Sequence, residues 1–179
     1  MESLLTAAGG EIAEHGYAGA TMCGIAGRAG AAIGSLYQFY PNKEALAEAL
    51  RERYAAAGAP LWQKLQTEAS GLAPAGMARR LVGLMLEMNR RCPGFAALLE
   101  GPRTQGSNRR RSQLRRRIAA VLRARQPKLA AAAALHQAAV IQPLLRGVLT
   151  LPRAHAAPGR RDVEQLLALY LGTRLGRPQ

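Results

Sequence analysis

Apolar side chains recur every three or four residues along most of the chain, and no run of alternating β-branched residues competes with them. Leu4, Leu5, Ala8 and Ile12 give a first stripe, carried to His15, with Gly16 as its stop. Gly9 and Gly10 inside it cost about 1 kcal/mol each relative to Ala, so this helix needs tertiary support. Thr21 stands as N-cap of a helix reaching Ala29, and Gly30 supplies the left-handed turn most residues resist. A helix over residues 32–39 follows, closed by Pro41. Asn42 then caps a helix whose face is Leu46, Leu50 and Tyr54, with a break predicted at Gly58–Pro60.

Beyond that break the pattern is longer helices with short joints. Leu61 and Leu65 predict one closed by Gly71; Met77, Leu81, Leu84, Met85 and Met88 predict another ending at Cys92-Pro93. Leu114, Ile118, Val121 and Leu122 line a helix over residues 107–125. Pro127 breaks it, and an Ala/Leu helix runs over 128–149, bent at Pro143. "LPRAHAAPGR" predicts a loop, after which Asp162 caps a last helix carrying Val163, Leu166, Leu167, Tyr170 and Leu171.

Composition agrees with this pattern. With 49% hydrophobic but only 4% aromatic residues, the core must be Leu, Ala, Ile, Val and Met, and Ala and Leu favour helix. The expected fold class is all-α: residues 1–57 form an N-terminal three-helix domain, joined by a linking helix to a larger helical domain at 58–179. Two isolated cysteines give neither a disulfide framework nor a metal-ligand spacing. The start lacks the basic-then-apolar order of a leader, and the longest uncharged run, residues 129–145, is 17 residues, short of the roughly 20 a membrane span needs. The expectation is a protein of the cytoplasm, with no membrane contact, no metal and no cofactor.

Charge changes the picture. The net charge is +14, yet residues 1–57 carry four basic residues against six Glu. Between Glu100 and Asp162 there are 14 Lys or Arg and no acid. Such an excess points to a polyanionic partner.

Three of the eight aromatics, Tyr37, Phe39 and Tyr40, fall within four positions of "AGRAGAAIGSLYQFYPNKEAL". Two helices of about eight residues joined by a tight Gly-containing turn make a helix-turn-helix, whose second helix can enter a DNA major groove. Ala31, Ala32, Gly34 and Ser35 are small enough for close approach; Gln38 can pair with adenine in two hydrogen bonds, and Ala32 or Ile33 can pack on a thymine methyl. Tyr37 offers a hydroxyl to phosphate, and Lys43 lies in the first turn of the next helix, where phosphate is favoured. From composition and spacing alone, an ordinary helical hairpin with an aromatic core cluster stands equally open.

The order of residues decides between them. "HGYAGATMCGIAGRAGAAIGSLYQFYPNKEAL" resembles the N-terminal domain of the TetR family of bacterial transcriptional regulators. The shared features are "HGY", Thr21, Ile25-Ala26, "RAG" at Arg28 to Gly30, "GSLY" at Gly34 to Tyr37 and "PNKEAL". The resemblance covers residues 3–55; the rest is similar only in layout. It implies that Ala31, Ala32, Ser35, Tyr37 and Gln38 face DNA, that Thr21 and Lys43 hold its backbone, and that the C-terminal domain binds a ligand and dimerises. The chain departs from the family at Gly9, Gly10 and Glu11, at Cys23-Gly24, at Gly27, at Ala32 and in the order Phe39-Tyr40. One of Phe39 or Tyr40 is expected to lock the recognition helix, and Cys23 to be buried.

Two features lie outside that domain. The segment 103–125 holds nine Arg and no acid, and reads as a solvated helix face, as a second nucleic-acid contact, or as a tract that attracts an anionic ligand or offsets the acidic N-terminal domain. Trp62, Met85, Met88, Phe95 and His136, together with Met77, are candidates to line an apolar effector pocket, although a Met/Leu stripe at helical spacing is more often plain core and a lone His on an Ala-rich helix more often structural. No catalytic constellation is present, so an enzyme is not expected. The sequence therefore predicts a homodimeric regulator binding a near-palindromic double-stranded operator, most simply a repressor. Residues 128–149 and 161–175 form its dimer interface, and a small apolar or amphipathic effector releases it. The alternative is a low-specificity nucleic-acid-binding protein acting through 103–125.

Overall fold

Gly30 closes its helix in the left-handed conformation the sequence predicts, at φ 63°, ψ 28°. Its N–H donates to the Gly27 carbonyl at 3.1 Å and that of Ala31 to Ala26 at 3.0 Å, the paired bonds of a helix end turned by glycine. Similar local rules shape the remainder. The computed structural model describes residues 2–100 and 105–175, and among these the regular structure is entirely helical. In chain order the helices are α1 (Glu2–Gly19), α2 (Met22–Ala29), α3 (Ile33–Phe39), α4 (Lys43–Glu68), α5 (Pro74–Arg91), α6 (Phe95–Glu100), α7 (Gln105–Arg125), α8 (Ala131–Thr150) and α9 (Ala156–Leu175). Short 3-10 turns lie at Ala69–Gly71 and Arg153–His155.

Two compact units result. The first comprises Met1–Gly58 and Met88–Arg103, the second Ala59–Glu87 and Thr104–Gln179. In the first, Ile12 of α1, Ile25 of α2, Leu36 of α3 and Leu46 and Leu50 of α4 are almost fully buried. Each such side chain contributes roughly 1.5–3 kcal/mol on leaving water. The segment from Met88 returns to this core, burying Met88, Cys92 and Leu98. Gly94 makes the return possible. Its φ is 75°, and a Cβ there would stand 2.9 Å from the Gly9 carbonyl oxygen and 3.1 Å from the Ala13 nitrogen. Tyr54 then fixes the segment: its hydroxyl donates to the Pro93 carbonyl at 2.6 Å, and Phe95 packs edge-on against its ring at 6.5 Å.

The second unit buries Trp62 and Leu65 of α4, Met77, Leu81 and Met85 of α5, Ile118 and Leu122 of α7, and Ile141 and Leu145 of α8. The antiparallel α7–α8 pair is its main helix packing, and Gln142 Nε2 donates to the Arg111 carbonyl across it at 3.2 Å. Arg125, buried at the end of α7, donates from Nε to the Leu72 carbonyl at 2.7 Å.

Three boundaries differ from the sequence pattern. The break expected at Gly58–Pro60 is absent, and α4 runs unbroken to Glu68 with Pro60 inside it. Proline removes the bond to the Ala56 carbonyl, but Ala56 and Pro60 are both exposed, so water can satisfy that oxygen. Burial of Leu50 and Tyr54 before the proline and of Trp62 and Leu65 after it holds the helix together. The loop expected at residues 151–160 is mostly helix, because α9 starts at Ala156 and takes Pro158 into its first turn, where no amide is needed. The six-residue α6 has no stripe long enough to announce it.

Candidate nucleic-acid interface

A helix of seven residues is too short to persist in water, so α3 must be held by its neighbours. Within it, only Leu36 is buried; Tyr40, just beyond its end, is the second anchor. Phe39 is the outward residue of the aromatic pair at 52% exposure, and Tyr37 is exposed at 50% and Ile33 at 42%. Ala32, Gly34, Ser35 and Gln38 are exposed as well, while Ala31 is half-buried in the turn. Of the large apolar side chains exposed among the described residues, three lie on α3 and the other four on α8 and α9. Burying one side chain and presenting five is the geometry of a helix made to enter something else.

α2 positions α3. Thr21 caps α2, its Oγ1 accepting from the Gly24 N–H at 3.0 Å. α3 begins at Ala32 without a side-chain cap, as the missing hydroxyl there requires. Cys23 is exposed, contrary to expectation: the buried face of α2 is Ile25-Ala26, and Cys23 lies more than a quarter-turn from it. Glu11, 7% exposed, reaches from α1 to Arg28 of α2 at 3.4 Å, and Arg28 also pairs with Glu14. Arg28 lies across Gly10, and the Glu11 carboxylate lies where a Cβ of residue 24 would be. Thus the departures at Gly10, Glu11 and Gly24 form one arrangement, an ion pair with glycines on both sides of it.

Lys43 is engaged within the chain. Its ammonium donates to the carbonyls of Tyr17, Ala18 and Ala20 at 3.0, 3.2 and 3.0 Å, which are all the donors it has. It ties down the turn that follows the break of α1 at Gly16, whose φ is 69°. The Tyr17 ring lies 4.9 Å from Lys43 Nζ and 5.6 Å from the Arg51 guanidinium, and the Tyr17 hydroxyl donates to Glu44 at 3.4 Å. Burial, reinforced by the Glu44 charge, pushes the Tyr17 pKa up and keeps it a donor. Burial likewise depresses Arg51. Asn42 caps α4 as predicted, its Oδ1 accepting from the Ala45 N–H at 2.8 Å.

The candidates for an effector pocket do not share one environment. Trp62 and Met85 are buried in the second unit, as is Met77; Met88 is buried in the first, where Phe95 is half-buried against Tyr54. His136 is exposed on α8, whose inward positions are Ala134, Gln137, Ala138 and Ile141, and so stands apart from the buried set. Among the described residues no cluster of His, Cys, Asp or Glu could hold a metal ion, and no helix is long and apolar enough to cross a membrane. The sequence reading missed the outward Phe39 and the return of Cys92–Leu98 onto α1. The first is signalled only by the burial of its neighbour Tyr40, the second by the dipeptide Pro93-Gly94.

A capped first helix, a glycine turn and a short second helix with an exposed face make a helix-turn-helix in an all-α chain. Residues 4–50 match the family model described as bacterial regulatory proteins, tetR family. Its fold is similar to the crystal structure of a TetR-like transcriptional regulator from Rhodococcus sp. RHA1. The TM-score is 0.67 at 19% identity, over 98% of this chain and 96% of that one. It is also similar to a transcriptional-regulator structure from Pseudomonas aeruginosa PAO1, with a TM-score of 0.59 at 20% identity, over 98% and 90% of the two chains. No curated protein sequence matches it.

Proposed function

We propose that the protein is a homodimeric, sequence-specific repressor that leaves its operator when a small apolar or amphipathic molecule binds the second unit. One observation carries the DNA half: α3 presents Ile33, Ser35, Tyr37, Gln38 and Phe39 outward and keeps only Leu36 inside. Gln38 would read an adenine edge, Ala32 or Ile33 would meet thymine methyls, and Tyr37 and Thr21 would donate to phosphates. Lys43 would support this surface from behind rather than touch DNA, since all three of its donors are engaged.

The dimer half rests on the other exposed apolar group. Leu135 and Val140 on α8 and Leu166 and Leu169 on α9, the last 63% exposed, leave two helices with apolar positions on both sides. Pairing the 128–149 and 161–175 segments with those of a second copy would bury them as a four-helix bundle. Two recognition helices would then meet successive major grooves of a near-palindromic operator. For the effector, the support is polarity without a partner. Gln137 is buried in the second unit and its Oε1 accepts no hydrogen bond, so a donor on a bound molecule would be received there. An effector that favours one spacing of the two heads shifts the population away from DNA. The chemistry is recognition, not catalysis, and its place is the cytoplasm, where the DNA is.

Selection from a randomised duplex library at about 150 mM salt, with sequencing of the retained DNA, tests this. Recovery of an inverted repeat with two half-sites about one helical turn apart is expected. Retention of duplexes with no enriched motif overturns it.

A further inference from the structure

The charge of this protein is in the wrong place for its recognition helix. The first unit, which carries the helix-turn-helix, holds seven Lys or Arg and seven Asp or Glu. The second holds eighteen basic residues and four acids, so the whole +14 belongs to it. Residues 103 and 104 of the arginine-rich segment lie outside the described residues; α7 carries the rest.

Six of the eight arginines on α7 fall into two sets. One is turned into the fold: Arg125 is buried on the Leu72 carbonyl, half-buried Arg115 donates from Nε to the Arg111 carbonyl at 3.4 Å, and burial depresses Arg117. The other set is Arg109, Arg116 and Arg123, all exposed and spaced by seven residues. On a helix that spacing returns to nearly the same face, so the three guanidinium groups form a stripe about 21 Å long, away from the buried Ile118 and Leu122. Asn108, Ser112 and Gln113 lie beside it and, with Arg109 and Arg116, line a shallow open depression. Among the described residues none of the three arginines meets a carboxylate, and the chain has none to offer between Glu100 and Asp162.

We infer that this face of α7 is a second, sequence-independent contact for double-stranded nucleic acid, in addition to the helix-turn-helix. The occupant follows from charge and shape. A straight row of guanidinium groups needs a partner charged along its whole length, and a duplex offers one phosphate per about 1.7 Å of axis at any register. The neighbouring amides and hydroxyl suit phosphate oxygens, and α7 has no aromatic side chain on which an unpaired base could stack. An acidic protein segment would instead need carboxylates at a matching seven-residue spacing.

The test is a fluorescence-anisotropy titration of the full-length protein with an operator-free duplex of about 30 base pairs between about 50 and 200 mM salt. In the triple variant R109Q/R116Q/R123Q the slope of log affinity against log salt is expected to shrink by roughly 2.7, at about 0.9 per phosphate contact, with affinity at about 150 mM salt reduced roughly 30–100-fold. Each single variant should take about a third of that change in slope, which keeps the inference testable if the triple variant folds poorly. R109K/R116K/R123K should retain the slope. The inference is independent of the operator reading: the triple variant should enrich the same motif from a randomised duplex library as the wild type, because none of the three arginines lies on α3. An unaltered slope and affinity in the triple variant overturns it, as does a wild-type protein that ignores operator-free duplex. Displacement of the duplex by polyglutamate at equal charge concentration as readily as by more duplex also overturns it, and moves the face to acidic proteins.

Discussion

The hydroxyl of Tyr54 and the backbone of Gly9 share one small space: a Cβ on residue 9 would stand 2.5 Å from Tyr54 Oη and 3.2 Å from the Pro93 carbonyl it binds. Glycine at position 9, which weakens α1 by about 1 kcal/mol on propensity alone, is thus the condition for tying the return segment to the first helix. Gly9→Ala should destabilise the protein by roughly 1–3 kcal/mol, since either the hydrogen bond or the packing must yield. In a Tyr54→Phe background the same substitution should be close to neutral, because the colliding oxygen is gone. Urea unfolding of the four proteins measures this, and additive effects would refute the shared space.

Tyr54 also sets a pH dependence. Burial is the main cause that pushes its pKa up to about 12 from an ordinary value of 10.0, with the Cys92 thiol adding to it. A group whose folded pKa is raised contributes stability that is complete below the unfolded value and is lost as pH rises through the folded one. The window is therefore pH 10 to about 12. Across it the wild type should lose stability faster than Tyr54→Phe, while Lys and Arg titrations common to both cancel in the difference. Equal slopes in unfolding experiments at pH 8, 10 and 11 (roughly one unit per step above 10) would remove the assignment.

Much of the recognition domain is legible in the sequence because its signals are local. Thr21, Gly30, Pro41 and Asn42 each act within four residues, and each lies where its chemistry predicts. The all-α class follows in the same way from helical spacing. What sequence pattern could not reveal depends on distant partners. Pro60 looks like a helix end because its cost is local, whereas the burial that offsets it comes from Tyr54 and Trp62 packing elsewhere. Lys43 fits a phosphate contact by position, yet the carbonyls of Tyr17, Ala18 and Ala20, distant in sequence, occupy it. Phe39 and Tyr40 are adjacent and alike, and only the packed core decides which one turns inward.

Two glycines of α2 should respond in opposite directions to one methyl group. Gly27 is exposed, with nothing near the place of a Cβ, so Gly27→Ala should stabilise by about 1 kcal/mol through helix propensity. At Gly24 a Cβ would enter the space of the buried Glu11 carboxylate and stand 3.1 Å from Thr21 Oγ1. Gly24→Ala should therefore disturb both the Arg28 ion pair and the α2 cap, at a cost of roughly 1–3 kcal/mol. Thermal melts of the two variants decide it; equal shifts would show that the Glu11 carboxylate has room to move aside.

The exposed apolar positions of α8 and α9 predict a loss of assembly. Leu166→Glu with Leu169→Glu places charges on the most exposed apolar side chains of the second unit, whose own core they do not enter. The folded protein should keep its helicity and sediment at half the mass of the wild type. Operator affinity should fall by at least about 100-fold as the second recognition helix is lost. Wild-type protein that already sediments as a monomer at micromolar concentration would refute the proposed interface.

Lys43 gives the sharpest separation between touching DNA and supporting the helix that touches it. A lysine that neutralises a phosphate contributes about 0.9 to the slope of log affinity against log salt, and its removal takes that much away. A lysine that holds three carbonyls at the end of α1 contributes nothing to the slope; its removal leaves Tyr17, Ala18 and Ala20 oxygens without their partner and loosens the packing between α1 and the start of α4. Lys43→Met keeps the aliphatic stem over the Tyr17 ring and removes only the charge and its donors. The expected outcome is a protein less stable by roughly 1–3 kcal/mol, with weaker operator binding but an unchanged salt slope. A slope reduced by about one, with stability intact, would put the ammonium on the DNA instead.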